Sequence, residues 1–117
     1  MAYVATYRFA RISARKVRPL ANLIRGKHAD EALDILKYMP HRGARMLEKV
    51  LKSALGNAED LRATNLDDLI VTDARVDGGP ILKRIQPRAR GMAFMIKKRM
   101  AHIRVQLDTA DTQAANT

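Results

Sequence analysis

The stretch Gly78–Leu107, GGPILKRIQPRARGMAFMIKKRMAHIRVQL, decides the reading of this chain. It has no acidic residue and eight fixed positive charges, Lys83, Arg84, Arg88, Arg90, Lys97, Lys98, Arg99 and Arg104. Its centre, PRARG from Pro87 to Gly91, is a turn signal with a basic, strand-like run on each side. A hairpin with arms of about eight residues would project about 25 Å beyond its sheet, at roughly 3.3 Å per residue. A two-stranded ribbon without a core is marginal in water. One that is also this basic needs a polyanion to lie against.

The flanks of the stretch supply the sheet. Upstream, Ile70, Thr72, Ala74 and Val76 alternate with Val71, Asp73, Arg75 and Asp77 in a strand beginning near Leu69. Downstream, Ile103, Val105 and Leu107 alternate with His102, Arg104 and Gln106. A further strand lies at residues 3–9, with Tyr3, Ala5, Tyr7 and Phe9 on one face. Three helices separate it from the others. Ser13 caps the first, roughly 14–25, with stripe Val17, Leu20, Ala21 and Ile24, an internal Pro19 that should bend it, and a stop at Gly26. Asp30 caps the second, which runs through Met39 to the break at Pro40. The third spans roughly 42–60, with Met46, Leu47, Val50, Leu51, Ala54, Leu55 and Ala58 on one face. Residues 61–67 read as a loop and the polar tail from about 109 to 117 as disordered. The expected fold is α+β: one domain over 1–117, with a three-stranded antiparallel sheet against three helices and a basic hairpin over about 80–101.

Charge is segregated along the chain. The net charge of +10 resolves into +7 for residues 1–27, −3 for 28–77, +8 for 78–107 and −2 for 108–117. If the fold brings the two basic blocks together, they form one positive face. With no cysteine, disulfides, thiolate nucleophiles and sulfur-ligated metals are excluded. His28, His41 and His102 are scattered without ligand spacing, so no metal is expected. Ser13 and Ser53 sit in no nucleophile motif, and Gly78-Gly79-Pro80 is a turn or bulge rather than a phosphate loop. The Asp67-Asp68 pair reads as a solvated loop or strand entrance. No cofactor, small-molecule substrate or catalysis is expected. No run approaches the roughly 18 apolar residues of a membrane span, and MAYVATYRFARIS lacks the order of a signal peptide, so a cytoplasmic protein without a membrane partner is expected. Scarce aromatics and the absence of a paired-aromatic RNA motif favour a folded RNA recognised by shape and backbone. A free DNA-condensing protein, a membrane-surface protein and an RNA-modifying enzyme are weaker alternatives. Pro87 and Gly91 break the amphipathic helix that the membrane reading needs.

The basic stretch resembles the tunnel hairpin of a large-ribosomal-subunit protein family, number twenty-two in the bacterial series. The resemblance rests on Gly79, Pro80, Lys83, Arg84, Pro87, Arg88, Ala89, Arg90, Gly91, Ala93, Ile96, Lys98, Arg99, His102 and Ile103. A second motif lies upstream in Ser13, Lys16, Val17, Arg18, Ile24, Arg25, Gly26 and Lys27, while EALDILKYMP and VLKSALGNAE resemble the next two helices. Together these cover about residues 5–107. The resemblance implies a structural protein that binds large-subunit ribosomal RNA, assists assembly and lines the peptide exit tunnel. Its implied partners are that RNA, neighbouring large-subunit proteins and the nascent peptide. It places Lys83 and Arg84 on the outgoing arm, the tip at Pro87, Arg88, Ala89, Arg90, Gly91, Met92 and Ala93, and Lys97, Lys98 and Arg99 on the returning arm. Arg15, Lys16, Arg18, Arg25 and Lys27 are the RNA contacts it implies in the globular part. Arg8 and Arg11, from the acid-free N-terminal block, and His102 and Arg90, from the hairpin motif, complete the candidate set. Met92 and Met95 stand where the family commonly has basic residues, Met100-Ala101 replaces a common Thr-Ser pair, and Pro19 is unusual in the first helix. Met92, Phe94 and Met95 are expected to pack on bases or on neighbouring protein in place of phosphate contacts.

Overall fold

A computed structural model describes residues 2–61, 68–87 and 89–109. Arg88, Asp67 and the rest of the loop at 62–67, and the tail from 110 lie outside the described residues. The element order is β1 (Tyr3–Ala10), α1 (Ala14–Ile24), α2 (Ala29–Tyr38), α3 (Arg42–Asp60), β2 (Leu69–Pro87) and β3 (Ala93–Thr109). The sheet is antiparallel with β3 central, in the order β1-β3-β2. The α+β class and the three-stranded sheet agree with the sequence reading.

One sheet face carries the core. Ala101, Ile103, Val105 and Leu107 of the central strand are fully buried and meet Leu69, Val71, Ala74 and Val76 of β2. The helices bring Val17, Leu20 and Ile24, then Leu36, then Leu47, Val50 and Leu51 onto that face. Each large aliphatic side chain hidden there contributes about 1.5–3 kcal/mol. Gly43 lets α3 approach α1, since a Cβ there would come within 3.1 Å of Leu20 Cδ1 and 3.3 Å of Val17 Cγ2.

Bulges correct two strand phases. Thr72 and Asp73 together face Gln106, which shifts the inner positions from Leu69 and Val71 to Ala74 and Val76. Strict alternation puts Ile70 and Thr72 inward; both are only partly buried. In β1 a second bulge between Tyr7 and Ala10 moves Ala10 into the core and turns Phe9 outward, where it is 56% exposed.

The helix ends also differ from expectation. Ser13 occupies the cap position of α1, but its side chain makes no capping hydrogen bond. His28, not Asp30, precedes α2, and Asp30 lies in the first turn, where its charge favours the helix dipole. α1 runs unbroken through Pro19 and ends before Gly26, whose φ of +85° is the left-handed stop that glycine adopts readily. Strand β3 continues through Asp108 and Thr109, opposite Ile70 and Leu69, so these two residues belong to the sheet rather than the tail.

Side chains take up carbonyls on both sheet edges. Arg18 Nε donates to the Val76 carbonyl at 3.1 Å and Arg25 donates to the Ala74 carbonyl, covering the free edge of β2. Asn57 Nδ2 donates to the Val4 carbonyl at 2.9 Å, covering that of β1.

Candidate nucleic-acid interface

The hairpin leaves the core at a third bulge, where Gly79 and Pro80 together face Met100. A Cβ on Gly79 would stand 3.2 Å from the Met100 carbonyl oxygen, so a side chain here would press the backbone of β3 away by a few tenths of an ångström. Beyond it, seven successive pairs from Ile81↔Arg99 to Pro87↔Ala93 form the ribbon, about 23 Å at 3.3 Å per residue. The molecule is accordingly elongated, 64 × 27 × 25 Å. Arg90 (φ 63°) and Gly91 (φ 70°) reverse the chain at the tip. No residue of the ribbon from Ile81 to Arg99 is buried among the described residues.

Cross-strand register fixes which charges meet. Residues directly opposite in an antiparallel pair project to the same face. Lys83 is paired with Lys97, and the next pair on that side is Ile81 with Arg99. The other side pairs Leu82 with Lys98 and Arg84 with Ile96. Directly opposed like charges destabilise a ribbon, and no ion pair to an acid is found on this one among the described residues.

The root of the ribbon faces the start of α1. A crevice of about 500 Å³ is lined by Arg11, Ser13, Lys16 and Arg42 from the helical side and by Arg84, Lys97, Lys98 and Arg99 from the ribbon. It contains no acidic residue. Arg42 donates to the Arg11 carbonyl, which ties the start of α3 to the segment before α1. Both α1 and α3 lack an acid in their first turn and a side-chain cap, whereas α2 has Asp30 and Glu31. The partly positive N-termini of two helices are thus added to a wall of fixed cations. A smaller hollow on the other side, about 210 Å³, is lined by Arg15, Arg18, Gly79, Ile81 and Arg99. The two basic blocks of the sequence therefore meet at the hairpin root.

The remaining candidates lie elsewhere. Arg25 and Lys27 are at the far end of α1, roughly 16 Å along the helix axis. There the Lys27 carbonyl accepts the Val71 N–H at 2.9 Å. Arg18 and Arg25 each commit one donor to the β2 edge, leaving further guanidinium donors on exposed side chains. Arg8 and His102 belong to the uncovered sheet face. Lys83 stands on the outgoing arm, and Arg90, Met92 and Ala93 are exposed at or next to the tip, as are Pro87, Ala89 and Gly91. Arg88 lies outside the described residues. Sequence reasoning missed Arg42, which sits in the mixed-charge middle. A cation in a helix's first turn opposes the dipole, and that mismatch was the available signal. Among the described residues no cluster of three or more His, Cys, Asp or Glu could hold a metal, and no helix is long and apolar enough to cross a membrane.

Comparison with known proteins gives a consistent result. The family model described as ribosomal protein L22p/L17e matches residues 5–108. The chain is 66% identical over 108 residues to the large ribosomal subunit protein uL22 of Rhodopirellula baltica, covering 88% of this chain and 91% of that one. It is 55% identical over 103 residues to uL22 of Caldicellulosiruptor saccharolyticus, covering 88% and 84%. With uL22 of Akkermansia muciniphila the identity is 50% over 103 residues, covering 88% and 92%.

Proposed function

We propose, from the premise that the chain belongs to the ribosomal protein L22p/L17e family and is a structural, non-enzymatic constituent of the large ribosomal subunit, that it binds large-subunit ribosomal RNA around the hairpin root and sends its tip into the peptide exit tunnel. The observation that carries RNA binding is the ribbon's register. Lys83 opposite Lys97, with Arg84, Lys98 and Arg99 alongside, is unfavourable for an isolated hairpin. It becomes favourable when phosphates lie between and beside the arms, because each neutralised phosphate releases condensed counterions.

Division of labour follows from side-chain chemistry. Arg11, Arg42, Arg84 and Arg99 offer planar forks for bidentate phosphate contacts, whereas Lys16, Lys97 and Lys98 supply point charges. Arg8, Arg15, Arg18, Arg25, Lys27, Arg90 and His102 are contacts to RNA strands passing the other surfaces, and Arg88, outside the described residues, is proposed with them from the sequence motif. Met92 and Met95, 59% and 60% exposed, together with Phe94, pack on bases or on neighbouring large-subunit proteins rather than on phosphates. At the tip, Pro87, Ala89, Gly91 and Ala93 present little bulk, which suits a wall past which a nascent peptide moves. Binding to the RNA assists subunit assembly by ordering strands on both sides of the root.

The test is sedimentation of tagged protein from a lysate with sequencing of crosslinked RNA. Co-migration with the large subunit and crosslinks to its ribosomal RNA are expected. Migration with DNA, or as free protein, overturns the RNA reading.

A further inference from the structure

The sheet face opposite the helices holds a feature that the phosphate-binding crevice does not use. At the β1 bulge Phe9 adopts φ 60°, a left-handed backbone that is uncommon for a bulky residue and costly to hold. It is held there by His102, whose Nδ1 accepts the Phe9 N–H at 3.1 Å. The two rings meet edge to face, with centroids 5.0 Å apart and planes at 85°. Regular alternation would have continued the inward row of Tyr3, Ala5 and Tyr7, but the bulge displays the ring to solvent instead. Bulges that re-aim a side chain recur beside functional sites.

The surroundings fit one kind of ligand. Phe9 and His102 border an open hollow of about 450 Å³ with Thr6, Arg8, Asp77 and Arg104. Asp77 stands directly opposite His102 across the β2–β3 pair. Two arginines, a half-exposed aromatic ring and a single carboxylate border the same hollow. Cations suit the phosphates on either side of a nucleotide, the ring suits the base's π face, and a carboxylate accepts N–H groups of a base edge.

We infer that Phe9, which shares a hollow on the uncovered sheet face with Arg8 and Arg104, is a stacking platform for one unpaired RNA base, with His102 as the positioning residue that holds its backbone. This site rests on the proposed ribosomal RNA binding but is distinct from the hairpin and its root. The reading separates itself from a plain apolar patch, because stacking needs an aromatic face and an apolar contact does not.

The chain contains no tryptophan, so Phe9→Trp places a single fluorescent reporter in the site. Thermal unfolding verifies the fold of each variant, and binding is followed independently by anisotropy of labelled RNA. The probes are deproteinised large-subunit ribosomal RNA and a blunt RNA duplex without unpaired bases. Quenching of the tryptophan by the ribosomal RNA and not by the bound duplex is expected. Phe9→Ala and Phe9→Leu should each weaken ribosomal RNA binding on the order of 10-fold, while Phe9→Tyr stays within about 2-fold. Binding with unchanged emission, or with native affinity in Phe9→Leu, overturns the platform and leaves RNA binding standing. A tryptophan response only when other large-subunit proteins are added reassigns the face to protein and also overturns it. Failure of the wild-type chain to bind the ribosomal RNA at all overturns both readings.

Discussion

Arg18 donates its Nε–H to the carbonyl oxygen of Val76 at 3.1 Å, which fastens the first helix to an edge strand 58 residues further along the chain. Arg25, seven residues and about two turns further along the same face, does the same to Ala74. These arginines therefore have a structural duty whether or not RNA is bound. Arg18→Ala and Arg25→Ala should each lower unfolding free energy by about 0.5–1.5 kcal/mol, the net range for an ordinary hydrogen bond, since solvent screens these exposed guanidinium groups. Lys16→Ala, in the crevice and without a side-chain partner among the described residues, should leave stability within about 0.5 kcal/mol. Urea denaturation of the three variants makes the comparison. Equal losses at all three positions would remove the distinction.

The ribbon is separable from the core. Every buried residue described lies outside 82–98. Replacing residues 82–98 by Asn-Gly, a two-residue turn suited to the Ile81–Arg99 pair, should leave a cooperative transition within a few degrees of the native midpoint. Calorimetry reads this directly. A broad or absent transition would show that the ribbon contributes to the core after all.

Salt dependence should count the ribbon's phosphate contacts. Lys83→Ala and Arg84→Ala should each weaken RNA binding across sequences and reduce the slope of log affinity against log salt by about one unit. The opposed pair adds a signature of its own. In free protein Lys83→Ala should stabilise the hairpin slightly, because it removes the repulsion with Lys97. Amide exchange along 81–99 would then slow in the free variant even as RNA affinity falls. Faster exchange would show that the opposed charges do not repel.

Glu48 carries the acid-sensitive contact. The Lys52 ammonium donates to its carboxylate at 3.1 Å and the Arg45 guanidinium lies at 3.0 Å, and these hold its pKa below the ordinary glutamate value. Because the folded pKa is the lower one, the contribution is present above the unfolded value near 4.5 and is lost as pH falls through the folded value. Glu48→Gln should therefore lower thermal stability slightly at pH 7 and flatten its further loss below about pH 4.5, so that variant and native chain converge in acid. An unchanged acid limb in that variant would place the sensitivity elsewhere. Arg45 remains useful without Glu48, since it also donates to the carbonyls of Leu36 and Met39 and closes the end of α2.

Local signals located the elements: periodicity for the strands and the long helix, caps and breakers for the second helix. The repeat of Leu47, Leu51, Ala54 and Ala58 predicted a helix over 42–60, and Arg42–Asp60 is the helix observed. Alternation around Ile103 predicted a strand near 101–107, which the structure makes the central one, because a strand buried on one face must repeat every second residue. The same rule failed at Phe9 and at Thr72. A bulge inserts one residue into the count, and the groups that accommodate it lie on the partner strand: His102 Nδ1, 93 residues away, accepts the Phe9 N–H, and Gln106 stands opposite Thr72 and Asp73.

Charge blocks were equally legible, but their meeting was not. The order of amino acids determined an α+β chain with a basic hairpin and a second basic block, since both follow from local patterns of polarity. Only the tertiary structure decided that Arg11 and Lys16 face Lys98 and Arg99, that Arg42 joins them from a mixed-charge segment, and that Arg18 and Arg25 turn toward a strand edge. Those relations depend on the β1-β3-β2 order and on the helix positions above it. They arise from packing and from unpaired edge carbonyls, long-range terms that no window of neighbouring residues contains.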